Sequence, residues 1–147
     1  MDIRPLSADY AVSPQLGVDD IVRAKDDGFR VIINNRPDGE EPGQPAAADL
    51  ATAARDCGLD WHDVPIGPAG ITAESLATFR DALAASDGPA LAFCKSGMRS
   101  AAIWAFALAP HADIDALLTK TREAGYDLGG LRPGLEAAAR HFQPSSS

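Results

Sequence analysis

The sequence predicts an α/β fold, a mostly parallel four-stranded sheet with helices on both faces. Three observations carry that prediction. Val31-Ile32-Ile33 and Ala90-Leu91-Ala92-Phe93 are short apolar runs without polar alternation, as strands buried on both faces are. Longer segments with helical spacing of apolar residues separate the candidate strands, so strand and helix alternate along the chain. The chain of 147 residues has material for one core, and residues 1–147 read as a single domain. Right-handed crossovers between parallel strands put helices on both faces.

Taken in order, Tyr10-Ala11-Val12-Ser13 reads as the first strand, ended by Pro14-Gln15. Residues 17–27 read as a helix with Asp19 and Asp20 in its first turn, where carboxylates suit the helix dipole. Val18, Ile21, Val22 and Ala24 are expected to form its apolar face, and Gly28 fits the left-handed position past its end. The second strand is Val31-Ile32-Ile33. A polar loop with two prolines and two glycines, residues 34–43, leads to an alanine-rich helix over 46–57 that Gly58 stops. Residues 61–66 read as the third strand and Gly67-Pro68-Ala69-Gly70 as a turn. Thr72 caps a helix to about residue 85, with Leu76, Phe79 and Leu83 on one face. Pro89 starts the fourth strand, which runs into Cys94. Residues 100–108 form a strongly apolar helix, Asp113 caps another to residue 124, and Pro133 suits the first turn of a last helix to about Phe142. Residues 143–147 are expected to be a flexible tail.

The formal charge is −8, with a sequence pI near 4.7. An acidic balance argues against nucleic acid and against anionic membrane surfaces as partners, because both attract basic proteins. A local anion site remains compatible with it. No run approaches the length of a membrane span, and Met1-Asp2-Ile3-Arg4-Pro5 lacks the apolar segment of a secretory leader. Two cysteines without such a leader suggest free thiols in a reducing compartment, hence a cytoplasmic protein.

The stretch with most chemistry is Cys94-Lys95-Ser96-Gly97-Met98-Arg99-Ser100. A buried strand ends at a cysteine, a polar loop turns on one glycine, and an arginine opens the next helix. Free backbone N–H groups and the positive end of the helix dipole favour a thiolate there. Such surroundings bring a cysteine pKa from about 8.5 to roughly 3.5–7.5. The same N–H groups bind anions. Ligands in parallel sheets bind at the carboxyl ends of strands, where Cys94 lies. Cys94 and Arg99 are the candidate catalytic residues. Lys95, Ser96, Gly97, Met98 and Ser100 are candidate substrate contacts, with Ser100 also a candidate donor to the thiolate. Met98 either lines the pocket or fills the core beneath it.

Four residues between cysteine and arginine resemble the active loop of rhodanese-type sulfurtransferases. The wider chain is similar to another group. Tyr10 through Gln15, Val31 through Glu40, the cysteine loop, and Ala124-Gly125-Tyr126-Asp127-Leu128 with Leu131-Arg132-Pro133 resemble the bacterial beta-lactamase-hydrolase-like protein family, over residues 3–142. That resemblance implies a protein tyrosine phosphatase-like, dual-specificity phosphatase-like fold, in members often labelled sulfurtransferases. Cysteine-dependent phosphatases carry five residues between cysteine and arginine. Here that count reaches Ser100, so the loop is one residue short. Those phosphatases also place a carboxylic acid after the preceding strand, where this chain has Gly67-Pro68-Ala69-Gly70. Asp63, upstream in the strand, is a poor substitute. The preferred expectation is therefore sulfur transfer. Cys94 takes a sulfur from thiosulfate or a low-molecular-weight persulfide and passes it to a thiol or cyanide. Phosphate monoester hydrolysis by the same residues is the alternative. A third reading is a binding module that hands an anion or persulfide to a persulfide dioxygenase of metallo-β-lactamase fold, since some relatives are fused to such a domain.

Arg36 follows the second strand and belongs on the rim that carries Cys94. It reads either as a second anion contact or as a loop ion pair with Asp38 or Glu40. Gln15 ends the first strand on the same rim. Cys57 reads as a packed helix cysteine rather than a resolving thiol. His62, His111 and His141 show no ligand spacing, so neither a metal nor another cofactor is expected.

Overall fold

The structure is a computed structural model, and it describes residues 1–141. The expected helix end at Phe142 and the tail at 143–147 lie outside the described residues. The strands are β1 (Arg4–Ser7), β2 (Tyr10–Ser13), β3 (Val31–Asn34), β4 (Asp60–Asp63) and β5 (Ala90–Phe93). The helices are α1 (Val18–Asp26), α2 (Ala47–Asp56), α3 (Ala73–Ala84), α4 (Met98–Leu108), α5 (Ile114–Glu123) and α6 (Arg132–His141), with a 3-10 turn at Gly129–Leu131.

The strands form one sheet in the order β1-β2-β5-β3-β4, parallel from β2 to β4. The expected four strands are thus joined by a fifth. β1 pairs antiparallel with β2, its register shifting between Pro5 and Ser7. Pro5 has no N–H to donate, which a strand tolerates at a sheet edge, and the irregularity further masks the segment as a strand.

The two apolar faces divide the helices. Ile32, Leu91, Phe93 and Trp61 pack with Ile21 and Ala24 of α1 and Leu50, Ala51 and Ala54 of α2. Val12, Val31 and Ile33 pack on the other face with α3, α4, α5 and Leu135 of α6. Each large apolar side chain buried this way contributes about 1.5–3 kcal/mol before the entropy of ordering it. The expected face of α1 is corrected. Ile21 and Ala24 are buried, whereas Val18 and Val22 are 48% and 44% exposed. At 100° per residue those valines form a stripe about 110° away from the buried pair.

What matters for the site is the carboxyl edge. Ser13, Phe93 and Asn34 lie side by side as the last residues of β2, β5 and β3. The third parallel strand stops at Asp63 rather than at residue 66, and Pro65, with no N–H, suits an exit. The Val64 and Ile66 amides still donate to the Asn34 and Asn35 carbonyls. β5 is central, so the residue after Phe93 emerges in the middle of that edge. Ala90 and Ala92 face the same core as Ala101 and Ala105 of α4, and these small side chains allow the helix to lie close on the strand.

Candidate active site

Cys94 leaves β5 directly and is 1% exposed. Three residues later the chain turns at Gly97, whose φ of +99° is a left-handed conformation suited to glycine. α4 then starts at Met98, two residues earlier than expected, which places Arg99 inside the first helical turn. The turn aims the Gly97 N–H at the sulfur, with N to Cys94 Sγ at 3.0 Å. Met98 N–H donates to Ser96 Oγ. Met98 is 40% exposed, so its side chain does not fill the core.

Among the described residues, five of the six buried polar ones, Ser13, Asn34, Asn35, Arg36 and Ser100, belong to this edge. Buried polar groups require partners, and here they tie strand ends to α4. Asn35 N–H donates to the Phe93 carbonyl and its Nδ2 to the Val64 carbonyl. Its Oδ1 accepts from Ser100 Oγ at 2.7 Å. The Ser100 hydroxyl therefore braces the loop through Asn35 rather than donating to Cys94.

The cations of the rim meet two carboxylates. Arg99 donates through both terminal nitrogens to Glu40, at 2.8 and 2.9 Å, and also to the Ile66 carbonyl. Arg36 donates from Nε to Glu40, from one terminal nitrogen to Glu41, and from the other to Gln15 Oε1. Its side chain is only 4% exposed. Lys95, largely exposed, pairs with Glu41 at 3.1 Å. Asp38 takes no part in this cluster; its carboxylate accepts from the Ala47 N–H at the start of α2. Hydrogen bonds from Arg99 and then Arg36 lower the Glu40 pKa from the ordinary 4.5 to about 2, outweighing desolvation. Bonds from Lys95 and Arg36 lower that of Glu41. The Arg99 guanidinium is pushed up, first by its bond to Glu40 and also by the nearby Cys94.

Sequence reasoning thus brought Cys94, Lys95, Ser96, Gly97, Arg99, Ser100 and Arg36 to one edge. It left Arg36 between two readings, and both Glu40 and Glu41 hold it. It missed Glu41 and the part played by Asn35. The adjacent acidic pair just after Arg36 was the available signal. Asp63 accepts from Asn34 Nδ2 and lines a shallow groove with Thr72 and Ser75. Cys57 lies apart from Cys94, partly buried at the end of α2 against the other apolar core. Among the described residues, no group of three or more His, Cys, Asp or Glu side chains is placed to hold a metal ion, and no helix is long and apolar enough to cross a membrane.

A model of the family described as beta-lactamase hydrolase-like protein, phosphatase-like domain, matches residues 2–111. A beta-lactamase hydrolase-like protein of Xylella fastidiosa is 34% identical over 141 residues, covering 95% of this chain and 33% of the relative. The chain spans about a third or less of the curated relatives it matches. Among solved structures, a candidate phosphatase of Neisseria meningitidis superposes with a TM-score of 0.83 at 31% identity, covering 94% of this chain and 99% of that one. A kinase associated phosphatase superposes with a TM-score of 0.74 at 15% identity, covering 92% and 88%, which is a likeness of fold.

Proposed function

The chain belongs to the phosphatase-like domain family of the beta-lactamase hydrolase-like proteins, and on that premise we propose that it is a sulfurtransferase with Cys94 as nucleophile. One observation carries the proposal. The thiol that accepts the Gly97 N–H lies beside Arg99, and the carboxylate Arg99 holds has a pKa of about 2. Glu40 is therefore ionised at neutral pH and has no proton for a leaving alkoxide, and the 67–70 turn contains no acid. Sulfite and thiolates leave without a proton.

The step balances without an added oxidant. Cys94 thiolate attacks the outer sulfur of thiosulfate. A Cys94–sulfur bond forms as the sulfur–sulfur bond of the donor breaks, and sulfite leaves with the electron pair. Cyanide or a thiolate then attacks the outer sulfur of the Cys94 persulfide, and the thiolate returns as thiocyanate or a new persulfide departs. Arg99, Arg36 and Lys95 attract the anionic donor, and the loop amide stabilises the sulfur anion. Cys94 is nearly fully buried, so the donor reaches it by displacing rim side chains. The reading includes a reducing, cytoplasmic setting, a thiol acceptor and a partner of persulfide-dioxygenase type. Incubation with thiosulfate should add the mass of one sulfur to the intact protein, and Cys94→Ser should abolish the addition. An unchanged mass, together with Cys94-dependent turnover of an aryl phosphate, would sink this reading in favour of phosphate ester hydrolysis. That second reading is supported by the candidate phosphatase at 31% identity. Anion binding at the loop without turnover of either substrate would instead favour the binding module.

A further inference from the structure

Tyr126 lies 30 residues beyond Ser96 of the loop that holds Cys94, yet it touches that loop at one peptide. Its hydroxyl donates to the Ser96 carbonyl at 3.1 Å. The Gly97 N–H donates to Cys94 Sγ at 3.0 Å. The Ser96 carbonyl and the Gly97 N–H are the two ends of the same planar amide. A donor on the carbonyl draws electron density toward oxygen and makes the N–H the stronger donor, as in any hydrogen-bonded chain. It also fixes the plane. Gly97 has no Cβ to restrain it, and reversal of this peptide would turn a carbonyl oxygen, which repels an anion, toward the sulfur.

We infer that Tyr126 is a positioning residue for the nucleophile: through the Ser96–Gly97 peptide its hydroxyl holds, and strengthens, the N–H that stabilises the Cys94 thiolate.

The rest of the molecule builds Tyr126 into place. α5 ends in a left-handed residue, Gly125, at φ +102°, and the Tyr126 N–H turns back to the Thr121 carbonyl at 2.8 Å. The Arg4 guanidinium of β1 lies 5.3 Å from the ring centroid and donates to the Ala124 carbonyl at the end of α5. Tyr126 is 4% exposed and fits so closely that a Cβ on Gly97 would lie 2.2 Å from its hydroxyl. Burial pushes the phenol pKa up, with the nearby Cys94 and Asp2 adding to the rise and Arg4 opposing it. The hydroxyl therefore keeps its proton, and stays a donor, through the neutral range. Cys94 likewise acts on Arg99 of α4 and Tyr10 of β2, adding to the rise of both. The Tyr10 hydroxyl donates to the Ser100 carbonyl, away from the Ser96–Gly97 peptide.

The inference rests on Cys94 being the nucleophile and holds whether sulfur or a phosphoryl group is transferred. The test is the pH dependence of Cys94 alkylation by iodoacetamide, followed by peptide mass so that Cys57 is counted separately. Tyr126→Phe keeps the ring and removes the donor. The half-maximal pH should rise by roughly half a unit, an alkylation rate about threefold lower on the acidic limb. Tyr126→3-fluorotyrosine has a more acidic hydroxyl and should move the midpoint the other way, which a packing role would not do. Unmoved midpoints in both variants, with parental circular dichroism, would overturn the inference. If the phenylalanine variant does not fold, the fluorotyrosine midpoint decides alone. Opposite shifts in a protein that takes up no sulfur from thiosulfate would leave this inference standing and remove the sulfurtransferase reading.

Discussion

The two ends of the parallel sheet are built in opposite ways. The amino end holds a cavity of about 500 Å³, lined by Tyr10, Trp104, Ala107, Leu83 and the flanking Asp9 and Asp87. The carboxyl end carries Cys94 and has filled itself with its own side chains, Arg36 and Arg99 closing on Glu40 and Glu41. One end holds open space, and the other holds converging donors closed on the chain's own carboxylates. The difference follows from chain direction. At the carboxyl edge α4 begins, so free N–H groups and the positive end of its dipole face the strand ends. The last turns of α4 face the amino end, where Ala107 and Leu108 line the cavity. Function is better read from buried, fully partnered polar groups than from the size of a hollow.

The largest test of that contrast is Cys94→Ser. In the proposed sulfur transfer, thiocyanate formation should fall by about three orders of magnitude or more, since the hydroxyl is a far weaker nucleophile at neutral pH. Arg99→Lys keeps the charge and loses the two-pronged geometry. It should reduce turnover roughly 10- to 100-fold without unfolding the protein, measured as kcat/KM beside a thermal melt. Gly97→Ala places a methyl group 2.2 Å from the Tyr126 hydroxyl at φ +99°. It should cost about 1–3 kcal/mol in a urea titration.

Glu40→Gln should move the two ends closer in character. Without the carboxylate on its guanidinium, Arg99 is free for an external anion, and the KM for thiosulfate should fall by roughly three- to tenfold. The same variant tests the pH linkage. The folded pKa of Glu40 is depressed, so the stability it contributes is whole above the ordinary value of 4.5 and disappears as pH falls through about 2. Chemical denaturation between those limits should show a shallower acid slope in Glu40→Gln than in the parent. The smallest effect belongs to the amino end. Asp87→Asn, on the cavity rim, should change sulfur transfer by less than about twofold. A large loss there would break the comparison.

Most of the fold was legible because its elements are specified by neighbours in sequence. Thr72 accepts from the Ser75 N–H and Asp113 from the Ala116 N–H, so two helix starts are local hydrogen bonds. Gly28 adopts positive φ just past α1, as its position foretold, and Gly58 and Gly125 do the same past α2 and α5. β1 was not legible, since Pro5 removes a donor and the pairing depends on β2 being present. At the site, the loop from Cys94 to Arg99 could be read because a strand end, a glycine and a helix start lie within six residues. Asn35 and Tyr126 could not be assigned roles, because nothing local distinguishes them from ordinary loop residues, and Glu41 had only the acidic pair after Arg36 as its signal.

By itself, the sequence determined a cysteine at the carboxyl end of a buried strand, the short loop after it, and the absence of an acid in the 67–70 turn. These are properties of adjacent residues, set by backbone geometry and composition. Tertiary structure decided which charges meet and how the loop amide is aimed. Arg99 reaches Glu40 across 59 positions, Ser100 reaches Asn35 across 65, and Tyr126 reaches Ser96 across 30. Hydrogen bonds act over about 3 Å, so such partners exist only once packing of the sheet and its helices has brought distant segments to one edge.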